Sequence, residues 1–173
     1  MTIQTVLNNT KIEGFSLADK ALIEDALTEL YNKSSATTTH IAQTMMDKIT
    51  QQQKLSIYYS PGAFGVYVLG SFIISADLTL LHGATYITPN GKAVAITLVA
   101  TLAHEMEHAI NSLGEIPNYP NFSGDFAGQT VTQTNKIYQE IGIEQRLSYN
   151  GGGLSSDIIA GMNYTNGLES LFS

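Results

Sequence analysis

Eleven successive residues without a charge, Ala93-Val94-Ala95-Ile96-Thr97-Leu98-Val99-Ala100-Thr101-Leu102-Ala103, run straight into His104-Glu105-Met106-Glu107-His108. An apolar run of that length predicts a helix wetted on almost no side, and so a helix placed in a core. Unpaired charge in a core is costly, so the ionisable groups at its end need a partner. Histidines four apart lie one above the other on a helix, and their two imidazoles can bind one metal ion. Glu105 sits beside His104 but rotated from that face, where it can act on a metal-bound water without being a ligand. Glu107 points elsewhere and is assigned no role. A chance His-Glu-x-x-His in a chain this long is expected on the order of one time in a hundred. The Pro89-Asn90-Gly91 turn is expected to lead into this helix, and Gly114 to cap its end.

Two histidines leave a catalytic zinc one protein ligand short, because such sites take three and keep a position for water. The chain has no cysteine, so the third ligand must be His, Asp or Glu, and disulfide or thiolate chemistry is excluded. The candidates are Glu115, Asp125, Glu140 and Glu144. Glu115 follows the helix too closely for the chain to fold back. Asp125 opens the next expected helix, 125–141, after a loop long enough to reverse direction. Its competing role is a helix N-cap. Glu140 and Glu144 lie at or beyond the far end of that helix, about 22 Å or more from Asp125 at 1.5 Å per residue. Asp125 is therefore the first choice and Glu140 the second. Tyr149, then Tyr138, can assist a developing oxyanion, though ordinary packing is the favoured account of a tyrosine at either position.

The remainder of the chain reads as support. Ser16-Leu17-Ala18-Asp19 opens an amphipathic helix whose apolar stripe is Leu22, Ile23, Ala26, Leu27, Leu30 and Tyr31. A second helix is expected over 37–53, with Ile41, Met45 and Ile49 inward and His40 at its start. Residues 1–15 are expected to be irregular or a short strand. The period then changes: 54–59, 66–69, 71–75, 78–81 and 84–88 read as short strands, giving a small mixed or antiparallel sheet. His82, at a junction of two runs, is read as structural. Residues 155–173 form a weakly amphipathic tail. The expected architecture is one α+β domain: a helical pair in 1–53, the sheet and active-site helices in 54–150, and a tail in 151–173.

Composition narrows the partners. Fifteen acidic against eight basic residues give a net charge of −7, which argues against nucleic acid. No apolar run reaches membrane-spanning length, and Met1 to Thr10 lacks the basic patch and apolar core of a Sec-type signal peptide. What His104, Glu105 and His108 imply as partner is a protein or peptide substrate.

His104-Glu105-Met106-Glu107-His108 resembles the zincin metallopeptidases. The stretch Thr134-Asn135-Lys136-Ile137-Tyr138-Gln139-Glu140-Ile141-Gly142-Ile143, followed by Arg146 and Tyr149, is similar to a segment of bacterial effector and polymorphic-toxin metallopeptidases. There a TEN-x-x-R-x-x-x-G run with a later Arg and Tyr follows the active helix. This chain departs from it, with Thr134 in place of the Glu and Tyr138 in place of the basic residue. In that family a Glu upstream of the Asn serves as third ligand; Asp125 is the acid in the matching region, so the resemblance favours it. The match covers roughly residues 70–150. It implies a zincin-like fold, Zn2+ held by His104, His108 and Asp125, peptide-bond hydrolysis, and a secreted or translocated bacterial protein. Two other classes fit the same residues: a zinc hydrolase of non-peptide amides, and a non-catalytic interaction domain. Glu105 argues against the latter, since a structural metal site has no use for that acid.

Overall fold

A computed structural model describes residues 1–52, 55–63, 66–67, 73–111 and 129–147. The chain begins with helix α1 (Ile3–Asn8), where an irregular segment or strand was expected. Thr2 caps it, its hydroxyl accepting from the Thr5 amide at 3.3 Å, and buried Val6 anchors it on the core. Strand β1 (Lys11–Glu13) follows.

Helix α2 (Leu17–Ser35) starts where the Ser16 signal placed it, with the Ser16 hydroxyl accepting from the Asp19 amide at 3.1 Å. Ile23, Ala26, Leu27, Leu30 and Tyr31 are buried, as their spacing requires. Leu22 belongs to the expected stripe but is exposed, because the core covers a narrower face than the apolar residues occupy. Helix α3 (Ile41–Gln52) begins four residues later than expected. His40 sits in the left-handed region at φ 51°, which breaks the helix before Ile41. Its ring packs back with Nδ1 3.3 Å from the Ser34 carbonyl, a structural role. Met45 and Met46 are buried core filler.

The sheet is mixed. Strands β2 (Ser56–Tyr59), β3 (Val66–Tyr67) and β4 (Ile73–Ala76) join β1 in the order β1-β2-β4-β3. β1, β2 and β4 run parallel, and β3 is antiparallel to β4. Ile57 and Ile74 pair across β2 and β4 and are fully buried. Residues Leu78–Leu81, expected as a strand, form a 3-10 turn instead. Asp77 caps it, its carboxylate accepting from the Thr79 amide and hydroxyl at 3.1 and 2.7 Å.

A second correction concerns the run before the histidines. Pro89-Asn90-Gly91 does not lead into the helix; it turns a hairpin between β5 (Thr85–Ile87) and β6 (Ala93–Ala95). Gly91 takes φ +80°, and the Thr88 hydroxyl and Lys92 backbone bond each other across the turn at 3.0 Å. Helix α4 (Leu98–Asn111) starts only after Thr97, whose hydroxyl accepts from the Ala100 amide at 3.1 Å. An uncharged run carries no marker of where a strand ends and a helix begins; the cap at Thr97 is that marker.

From Val99 to Ala109 every residue of α4 is buried. The helix packs against α2, α3 and a last helix, α5 (Gln129–Ile141), with the sheet beside it. Gly142 ends α5 at φ +77°, and the Ile143 amide donates back to the Tyr138 carbonyl at 2.8 Å. The architecture is thus α+β: a small mixed sheet on a buried central helix, with α2 and α3 as an N-terminal helical pair.

Glu140 is the clasp between α5 and that pair. Its carboxylate accepts from the Ile41 and Ala42 amides at 2.6 and 3.0 Å, capping the start of α3. It accepts also from the hydroxyls of Ser34, Thr37 and Thr39 at 2.7, 2.9 and 2.5 Å. Burial alone would raise its pKa, but these bonds to backbone and hydroxyls outweigh burial and hold the carboxyl below the ordinary glutamate range. A group whose folded pKa is depressed stabilises the fold above its unfolded value, about 4.3, and loses that contribution as pH falls through the folded value. Glu140→Gln is therefore expected to cost about 2 kcal/mol at pH 7, or about 4–8 °C in thermal midpoint. The gap between variant and wild type should narrow toward pH 3, as thermal melts at the two pH values will show.

Candidate metal centre

Helix α4 presents His104 and His108 on one face, as their spacing demands. Their Nε2 atoms lie 3.2 Å apart and the ring planes stand at 88°. Both rings are buried, as are Glu105 and Glu107, so an exposed last turn with coincidental histidines is excluded. Burial, then the nearby positive charges of Arg146 and His108, hold His104 well below the ordinary imidazole range. It is neutral near pH 7, the form in which imidazole binds metal.

The pair fits zinc. With Zn–N bonds of about 2.0–2.1 Å, a 3.2 Å edge between the nitrogens gives an angle of about 103° at the metal, near the tetrahedral value. Two neutral nitrogens plus a carboxylate are a borderline donor set suited to that ion. Among the described residues no third His, Asp or Glu joins the two histidines. Asp125, Glu115 and Tyr149 lie outside the described residues.

The two candidate carboxylates among the described residues are engaged elsewhere. Glu140 is spent on the α3 cap and does not face the histidines. Glu144 forms an exposed ion pair with Lys92. Tyr138 is likewise committed: it is buried, its hydroxyl donates to the Ala100 carbonyl at 3.0 Å, and burial pushes its pKa above the ordinary tyrosine range. Its ring lies 6.2 Å from that of Tyr86, a packing role. His82 is exposed on the wall of a cavity of about 620 Å³. That cavity opens beside Thr97 to Val99, at the other end of α4 from the histidines.

Helix α5 supplies the groups that stand behind the two histidines. Thr134 places Oγ1 3.4 Å from His104 Nδ1, and Thr130 places Oγ1 3.3 Å from His108 Nδ1. As the residue number rises on α4 it falls on α5, so the helices pack antiparallel and their four-residue spacings coincide. Asn135, next on α5, grips the backbone of Arg146 from both sides: its amide donates to the Arg146 carbonyl at 2.8 Å and its oxygen accepts from the Arg146 amide at 2.7 Å. The Leu147 amide donates to the Ile87 carbonyl at 2.8 Å, and the Tyr86 hydroxyl to the Glu144 carbonyl at 2.6 Å. These bonds tie 144–147 to β5 and bring the Arg146 charge near His104. Asn135 and Arg146 were visible only as parts of a resemblance. Thr130 carried no signal in a chain this rich in threonine; the sign of both threonines was their spacing, which matches that of the histidines.

The fold and the motif together define an α+β protein with a buried His-Glu-x-x-His helix. No protein-family model matches the sequence, and no curated protein matches it significantly. Among solved structures the chain resembles the Salmonella zinc metalloprotease effector GtgA, with a TM-score of 0.60, 14% sequence identity, and 86% of this chain and 83% of that one covered. At that identity the likeness shows a shared fold. No helix among the described residues is long and apolar enough to cross a membrane.

Proposed function

We propose that this protein is a zinc-dependent peptidase that hydrolyses peptide bonds in a protein substrate. The observation that carries the reading is the buried pair of Nε2 atoms 3.2 Å apart, with Glu105 next to one of them on the same helix. The fold shared with a zinc metalloprotease effector supports it, and supports a role as a translocated bacterial effector.

His104, His108 and Asp125 would hold the zinc. When bound, the ion supplies an acidified water and a positive charge for the scissile carbonyl oxygen. Glu105 takes the proton of the attacking water and delivers it to the leaving amine. Its burial keeps bulk water from competing for that proton. Tyr149 would donate a hydrogen bond to the developing oxyanion. The Arg146 backbone, clamped by Asn135, keeps a second positive charge near His104.

The test is elemental analysis of the purified wild type beside His108→Ala, with cleavage of a mixed peptide library followed by mass spectrometry. One zinc per wild-type chain, none in the variant, and cleavage that a chelator stops and added zinc restores are the expected results. A wild type that remains free of zinc after incubation with the ion would sink the reading.

A further inference from the structure

The metal-facing nitrogens of His104 and His108 are only half of each ring. The other half, Nδ1, meets a threonine hydroxyl in both cases. Thr130 and Thr134 are buried, so each hydroxyl must find partners within the protein. A hydroxyl can accept from an imidazole N–H or donate to a bare ring nitrogen, so each threonine can partner Nδ1 in either tautomer.

A neutral imidazole carries one N–H and one lone pair. A proton fixed on Nδ1 leaves the lone pair on Nε2. If both rings adopt this form, two lone pairs face each other across 3.2 Å, an arrangement that a cation between them relieves. If instead one ring carries its proton on Nε2, it bonds to its neighbour and neither is ready for a metal. With a metal on both Nε2 atoms each Nδ1 must carry the proton, and a threonine oxygen lies within reach of each. We infer that Thr130 and Thr134 are positioning residues of the metal centre: in the metal-bound form each accepts the Nδ1–H of its histidine and so holds the ring plane that turns both Nε2 lone pairs to one point.

This rests on the zinc peptidase reading and adds residues to it. The device uses hydroxyls where such outer partners are commonly carboxylates or backbone carbonyls. A hydroxyl adds no negative charge beside the histidines, which suits a site that already buries Glu105 and Glu107.

The experiment compares wild type with Thr130→Val, Thr134→Val and the corresponding Ser variants. Val keeps the branched shape and removes the hydroxyl; Ser keeps the hydroxyl and removes the methyl. Zinc affinity is read by competition with a chromogenic chelator, and the tautomer by long-range proton–nitrogen NMR of the histidine rings. Each Val variant is expected to weaken zinc binding by about 10–100-fold. Each Ser variant should bind close to the wild type, and the zinc-loaded wild type should show Nδ1–H on both rings, with exchange of that proton faster in the Val variants. Thermal melts of the zinc-free proteins separate this from a folding defect, which would lower the midpoint of Ser and Val variants alike. Zinc affinity unchanged in both Val variants, with the wild type binding zinc, would overturn this inference alone. A wild type that binds no zinc would overturn it together with the peptidase reading.

Discussion

Glu105→Gln is expected to keep its zinc and lose turnover. The amide has nearly the shape of the carboxylate and fills the same buried space on α4. It cannot accept a proton at neutral pH, so the attacking water keeps its own. General-base assistance contributes about 10²–10⁴-fold, and the loss in kcat should fall in that range. KM should change far less, since the side chain acts on the water rather than on the substrate. The check is a steady-state assay beside elemental analysis of the same preparation. Full zinc with full activity would remove Glu105 from the chemistry. Loss of zinc together with activity would give the glutamate a role in binding the ion instead.

The second large effect concerns the third ligand. Asp125→Ala is expected to lower zinc affinity by more than the roughly 10–100-fold typical of a lost outer partner, while the fold persists. Glu140→Ala should do the reverse. It should keep zinc and melt at a lower temperature, because its five hydrogen bonds hold α3 against α5. Chelator competition and thermal melts on both variants distinguish a ligand from a clasp. Unchanged zinc affinity in Asp125→Ala would end its candidacy.

Glu140 also shows how a plausible reading of sequence fails. A carboxylate near the end of a helix, downstream of two histidines, has the chemistry of a ligand. Nothing local to it says that its partners are Ser34, Thr37, Thr39 and the amides of Ile41 and Ala42, about a hundred positions away. The hairpin at 85–95 fails for another reason. Ala93 to Ile96 suits a strand or a helix equally, and pairing with Thr85 to Ile87 settles it. Leu78 to Leu81 has strand composition but follows Asp77, whose carboxylate takes the Thr79 amide and curls the chain.

What local periodicity controls was legible. His104 and His108 share a face because a helix turns every 3.6 residues, whatever surrounds it. The burial of α4 followed from a run without charge, the start of α2 from Ser16, and the end of α5 from Gly142. The α+β class and the helical pair followed from the same patterns. Tertiary structure alone decided which groups stand behind the histidines and which carboxylates are already engaged. Thr130 and Thr134 reach His108 and His104 because α4 and α5 pack antiparallel, and Arg146 is held nearby because Asn135 grips its backbone. Hydrogen-bond partners between helices depend on packing distance and register, and those come into being only when the core closes.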